Sequence, residues 1–215
     1  MLTVWGRRNS SNVQKVLWLV GELGLDYRHE PAGGPFGRLD EPAFRRLNPH
    51  GRVPVIEDDD LVVWESHAIL RYLAARYGDG RLWPAAPQAQ SQVDKWIEWA
   101  QTALLPTFVG GIFWGYYRTP EAQRDHAAIR SSLAACGTLM GLLDSELTSR
   151  PFVAGDIFTL ADIAAGSMFY RYYGLDIERP DLPNVAAWYA RLQDRPAYRE
   201  HVMVPFDDLK GRLSF

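Results

Sequence analysis

Asn48-Pro49-His50-Gly51-Arg52-Val53-Pro54-Val55-Ile56-Glu57-Asp58-Asp59-Asp60-Leu61-Val62-Val63-Trp64-Glu65-Ser66 reads as turn, strand, turn, strand and helix start. Asn-Pro and Gly51 punctuate the first turn. Val53 to Ile56 and Leu61 to Trp64 are β-branched, apolar runs, and the acidic Asp58-Asp59-Asp60 turn between them is short enough for a hairpin. Ser66 is an N-cap type, and Ile69, Leu70 and Leu73 follow at helical spacing. Pro54 cannot donate to a sheet ladder, so it belongs at a strand start or an edge. A cis Val53–Pro54 bond would turn the backbone of Val53 outward, where it could pair antiparallel with an extended peptide ligand.

Working outward, Leu2 to Gly6 is a short apolar strand. Asn9-Ser10-Ser11-Asn12 is a polar turn of helix-capping types, and Val13, Val16, Leu17, Val20 and Leu23 recur at helical spacing until Gly24. Tyr27 to Pro31 suits a second strand, Gly33 to Gly37 a loop, and Glu41 to Leu47 a short helix. The order is β-α-β-α-β-β-α, which predicts a four-stranded mixed sheet with helices on both faces. Residues 79–89, with Pro84 and Pro87, read as a linker between domains at 1–78 and 90–215. Beyond it the pattern is all-α. Gln90 to Tyr117 is expected as one helix kinked at Pro106. Thr119-Pro120 reads as N-cap and N1 of a helix reaching Leu147, Thr159 starts another, and Pro183 to Gln193 is a third. Thr159 and Asp162 have the spacing of a capping box.

Composition narrows the function. Hydrophobic residues at 47% and charged residues at 23% exclude a disordered chain, and a net charge of −3 excludes a basic nucleic-acid module. A single cysteine, Cys136, excludes a disulfide or a CxxC pair and sits in a helical stripe as a buried thiol. The five His form no ligand-spaced pair, so no metal site is expected. No run is long and apolar enough for a membrane helix or a signal-peptide core, so a soluble cytoplasmic protein is expected.

Two strand-to-helix junctions carry possible chemistry. Ser66 and the N-terminal N–H groups of its helix suit a carboxylate, and Glu65 suits an ammonium, so together they fit the α-amino acid end of a ligand. Taken alone, the pair reads as a cap and a solvated charge. A hydroxyl in the Asn9–Asn12 turn can donate to a thiolate and lower its pKa, though capping alone explains that turn too.

The spacing of Ser11-Asn12-Val13-Gln14-Lys15, Asn48 to Pro54 and Trp64-Glu65-Ser66-His67-Ala68-Ile69 resembles the glutathione S-transferase superfamily. Phe152 to Asp162 and Pro183 to Trp188 extend the resemblance along nearly the whole chain. It implies a thioredoxin-like first domain, an all-α second domain, a homodimer, glutathione as cosubstrate and a detoxifying transfer to a small hydrophobic electrophile. Matching Lys15 to the basic residue of the serine-type theta and delta pattern puts Ser11 at the catalytic serine. Bacterial members resembling the disulfide-reductase subgroup place an Asn similarly, which here is Asn12. No Tyr precedes Tyr27 and no Cys lies in the turn, which excludes the tyrosine and cysteine types. The resemblance assigns Ser11, Arg52, Val53, Glu65, Ser66 and His67 to glutathione, and Trp114 and Tyr117 to the second substrate. A glutathione-dependent disulfide or peroxide reductase using Asn12, and a non-catalytic glutathione-binding carrier or regulatory protein, are the alternative functions.

Overall fold

A computed structural model describes residues 1–214. Strand β1 (Leu2–Trp5) leads through helix α1 (Ser11–Glu22) to β2 (Tyr27–Glu30), and α2 (Pro42–Leu47) leads to the hairpin β3 (Val55–Asp58) and β4 (Leu61–Trp64), followed by α3 (Ser66–Tyr77). The sheet order is β2-β1-β3-β4, with β1 parallel to β2 and the other pairs antiparallel. The expected mixed sheet is therefore formed. Val55 faces Trp64 and Asp58 faces Leu61 across the hairpin.

Alternation along the strands divides the sheet's two faces. Val4 and Ile56 enter the main core with α1 and α3, whereas Trp5, Val55 and Trp64 pack with Phe44 of α2. Pro54 precedes the first paired residue, Val55, so its missing N–H costs no ladder bond. The Val53–Pro54 bond is cis.

Helices follow: α4 (Pro87–Trp99), α5 (His126–Leu147), α6 (Leu160–Gly166), α7 (Phe169–Gly174), α8 (Pro183–Gln193) and α9 (Pro196–His201). Two expectations need correction here. The chain from Gln90 is not one kinked α-helix: from Ala100 to Arg118 it widens, with hydrogen bonds spanning five residues. Pro106 lies inside this stretch, and proline there removes a donor and crowds the preceding turn. Gly111 keeps the segment close to α5, where a Cβ would collide with Ser132.

The second correction concerns the start of α5. Thr119 does not cap it. Its hydroxyl donates to Trp114 O at 2.9 Å and so closes the preceding segment. The cap is Asp125, whose carboxylate accepts from Ala127 N at 3.0 Å and Ala128 N at 2.9 Å. A charged acceptor serving two N–H groups at the positive helix end outcompetes a hydroxyl.

The core runs without a break from the sheet into the helical half. Trp18 on α1 is fully buried, with Tyr198 of α9 at 4.6 Å and Phe158 at 5.6 Å between ring centroids. Glu22 receives two bonds from Arg195, at 2.7 and 2.6 Å, at the rim of the same contact.

The predicted capping box is present before α6: Thr159 N donates to Asp162 Oδ2 at 2.9 Å, and Thr159 Oγ1 accepts from Ala161 N. Asp162 is completely buried and also accepts from Val153 N and Trp188 Nε1, both at 2.9 Å. Burial pushes its carboxyl up to about 6, against the donors that hold it down. Cys136 is buried, and its thiol is pushed up to about 11 by desolvation. No helix among the described residues is long and apolar enough to cross a membrane.

Candidate active site

Strand β1 delivers the chain to the Arg7–Ser10 turn, and Ser10 takes the extended N-cap conformation that opens α1. Ser11 and Asn12 are thus the first helical residues, at the positive end of the helix dipole. They line a cavity of about 360 Å³, inside the range typical of small-ligand sites. Arg52 and Val53 wall it beside the β3 end, while Val109, Phe113 and Trp114 wall it from the wide segment.

Below the turn lies a buried polar chain. Lys15 has no exposure, and its Nζ lies 3.0 Å from both Asn12 Oδ1 and His67 Nε2. Desolvation pushes the ammonium down to about 7, and Glu65 pulls it back up. Burial and the neighbouring Lys15 hold His67 neutral, near 2. His67 is therefore not a surface residue. It braces Lys15, which in turn fixes the amide of Asn12.

Glu65 and Ser66 open α3 immediately above this chain. Glu65 adopts φ 70°, the left-handed region, at a position where a side chain is strained. Such strain costs about 1–3 kcal/mol and clusters at binding sites. Ser66 is buried, at 5% exposure. Glu65, Ser66 and His67 do not line the cavity itself; His67 reaches its lining residue Asn12 through Lys15.

Of the two aromatics expected to line the second-substrate region, the cavity is lined by Trp114 and not by Tyr117. Tyr117 stacks on Phe113 at 5.4 Å and meets Phe206 at 5.2 Å, so its ring is occupied by core packing. Three charged lining residues, Arg7, Arg118 and Arg171, were not among the residues singled out from the sequence. The available signal was Arg171, a lone charge inside the aromatic run Phe169-Tyr170-Arg171-Tyr172-Tyr173. Burial lowers all three and takes Arg171 down to about 10; the neighbouring Arg7 and Arg118 add to the fall at Arg171, and Arg118 adds to that at Arg7.

The glutathione S-transferase N-terminal domain profile matches residues 1–75, and the C-terminal domain profile matches 120–191. The chain belongs to the glutathione S-transferase family. Glutathione S-transferase GstB of Escherichia coli K12 is 43% identical over 207 residues, covering 95% of this chain and 99% of that one. Glutathione S-transferase 3 of Zea mays is 30% identical over 94% of this chain and 93% of its own. The solved theta class glutathione S-transferase of Xanthomonas axonopodis pv. citri, with glutathione bound, superposes with a TM-score of 0.90 at 47% identity, covering 95% and 98% of the two chains. The transferase reading stands on these relatives, and none of them favours the reductase or carrier alternative.

Proposed function

We propose that this glutathione S-transferase binds glutathione in the cavity at the start of α1 and uses the Ser11 hydroxyl to stabilise its thiolate. The observation that carries the proposal is the position of Ser11: first residue of α1, lining the cavity, with a hydroxyl and a helix dipole that both favour an anion. Glu65 would take the ligand ammonium and Ser66 the adjoining carboxylate. Arg52 and the outward backbone of Val53 would hold the peptide portion.

The chemistry needs a thiolate. A free thiol has a pKa of about 8.5, so little of it is ionised at neutral pH. A hydrogen bond to a charged acceptor is worth about 1.5–3 kcal/mol, which lowers the thiol by roughly one to two pKa units. The thiol proton passes to solvent, and the sulfur lone pair attacks the electrophilic carbon. A C–S bond forms as the leaving group departs with its electron pair.

A second donor is favoured by one contact. Asn12 Oδ1 is held by Lys15, so the amide offers its N–H₂ as the group left for a ligand. Thiolate absorbance of bound glutathione, followed against pH, separates the two. Ser11→Ala is expected to return the bound thiol toward its free pKa, with a smaller effect from Asn12→Ala. The reverse ranking transfers the role to Asn12, and no shift in either variant removes both from the chemistry.

The remaining assignments belong to the same proposal. Residues 1–78 would form the glutathione domain and 79–89 the linker, whose last three residues already belong to α4; residues 90–215, of which Phe215 lies outside the described residues, would supply the second-substrate wall. The enzyme works as a cytoplasmic homodimer on small electrophiles.

A further inference from the structure

Three energetic costs converge beneath the Ser11–Asn12 turn. Lys15 has no exposure, so its ammonium is stripped of water. Glu65, whose carboxylate acts on it, sits in the left-handed region at φ 70°. His67 is 7% exposed, and its Nδ1 is buried with no hydrogen-bond partner among the described residues. A charged Lys15 can only donate, so His67 Nε2, at 3.0 Å, accepts, and the ring proton is left on that unpartnered Nδ1. An orphaned buried donor is destabilising. An apolar side chain in place of the lysine would avoid the desolvation, so folding alone gives no reason to keep a charge there.

What the lysine secures is a fixed neighbour. Its other contact is Asn12 Oδ1, also at 3.0 Å, and Asn12 lines the cavity. Holding the carbonyl oxygen from below leaves the amide N–H₂ as the part of Asn12 that a ligand can meet. Polarisation along the chain of bonds makes that N–H₂ a stronger donor. Ser66 and His67 are the first two residues of α3, so the same lysine ties the nucleophile turn to the helix start assigned to the ligand's amino-acid end. Among the described residues, the charges acting on this pair are Glu65 on Lys15, and Lys15 and Arg71 on His67; they come from α1, α3 and its N-cap.

We infer that Lys15 is a positioning residue for the transfer reaction: it aims the Asn12 amide at the glutathione sulfur and, through His67, holds that amide in register with the amino-acid end of the ligand. This role rests on the transferase reading and deepens it. It makes Asn12 a thiolate donor beside Ser11, and it gives work to two residues, Lys15 and His67, that do not line the cavity. A side chain that only filled space would not move the thiol pKa.

The test uses the full-length enzyme and two ligands, glutathione and S-methylglutathione, which lacks the ionisable thiol. Thiolate absorbance of bound glutathione is followed against pH in wild type, Lys15→Met, Asn12→Ala and the double variant. Lys15→Met is expected to raise the bound thiol by about half to one pKa unit, the size of one lost hydrogen bond. The double variant should add nothing to the larger single effect. With an aryl chloride, kcat/KM should fall about three- to tenfold near neutral pH and recover at alkaline pH. Calorimetry should find S-methylglutathione bound to Lys15→Met within about threefold of wild type, since that ligand needs no thiolate donor. His67→Leu leaves Lys15 in place and removes its second partner. It is expected to move the thiol in the same direction, and it takes the place of Lys15→Met if that variant does not accumulate as folded protein.

The outcomes are distinguishable. A thiol pKa unmoved in both Lys15→Met and His67→Leu, while Ser11→Ala moves it, overturns the inference and leaves the transferase reading standing. An equal shift with and without Asn12 means that the lysine acts on sulfur as a bare charge, and also overturns it. Parallel loss of affinity for both ligands, with the thiol pKa kept, assigns Lys15 to the shape of the site alone and overturns it as well. No bound thiolate in wild type at any pH, with no turnover of the aryl chloride, overturns the transferase reading and the inference with it.

Discussion

Replacing Asp162 by alanine strips the acceptor from three buried N–H groups: Val153 N, Thr159 N and Trp188 Nε1, each 2.9 Å from a carboxylate oxygen. Each orphaned donor costs about 1–3 kcal/mol. One term opposes this loss. Burial holds the carboxyl near 6, so the charge itself is unfavourable at neutral pH, and removing it returns up to about 3 kcal/mol. The balance for Asp162→Ala is a loss centred on about 3 kcal/mol, above the 0.5–2 kcal/mol, roughly, of a lone cap. For a chain of this length the melting temperature should fall by about 10 °C or more. Asp162→Asn keeps one acceptor oxygen for Val153 and Trp188 and removes the charge, so its cost should lie nearer 1 kcal/mol.

The pH dependence of Asp162 has a definite sign. The folded carboxyl is raised above its unfolded value, so its contribution is complete below about pH 4 and is lost as pH rises through about 6. The advantage of wild type over Asp162→Asn should therefore shrink across that window. Urea unfolding of the three proteins at pH 4.5, 6 and 7.5 measures both effects. An alanine variant within 1 kcal/mol of wild type, or an aspartate–asparagine difference flat with pH, would refute this account of the site.

Three further outcomes are expected. Lys15 is lowered from its ordinary value to about 7; the unfolded chain therefore binds the extra proton, stability should rise as pH goes from about 7 to about 10, and Lys15→Met should lack that rise in chemical denaturation. Ser66→Ala should raise the KM for glutathione by about tenfold or more while nearly preserving kcat, since Ser66 is assigned to a carboxylate whose charge does not change in the reaction; a large fall in kcat at saturating glutathione in steady-state assays contradicts that role. Sedimentation equilibrium at micromolar concentration should give twice the chain mass, and a monomer would exclude the homodimer.

Local chemistry explains what could be read in advance. The hairpin follows from two β-branched runs around an acidic turn, and the Thr159–Asp162 box from spacing alone, so both were legible. The start of α5 was not, because Thr119 and Asp125 are both good caps. Their roles are decided by Trp114 O, which claims the threonine hydroxyl. The widening after Ala100 depends on packing against α5, which no window of sequence contains. At the site, Ser11 and Asn12 were readable as junction residues, Val53 through its proline and Arg52 through the family resemblance, and all four line one cavity. His67 was legible as a neighbour of Ser66, but its buried link to Lys15 was not. Arg7, Arg118 and Arg171 meet only in three dimensions; in the sequence Arg171 stands out among aromatics, whereas Arg7 and Arg118 each pass for a surface charge.

Trp18 shows how the two halves of the chain depend on each other. Its indole lies against Phe158 and Tyr198, which are supplied from more than a hundred residues away. A fragment ending after α3 would keep every backbone bond of the sheet and yet present a bare tryptophan to water. Neither half can be transplanted as a ready-made module. A chimera that exchanges one half must carry a matching ring contact across the seam, and in a cell a nascent first half would need shelter until the ribosome has delivered the last helices.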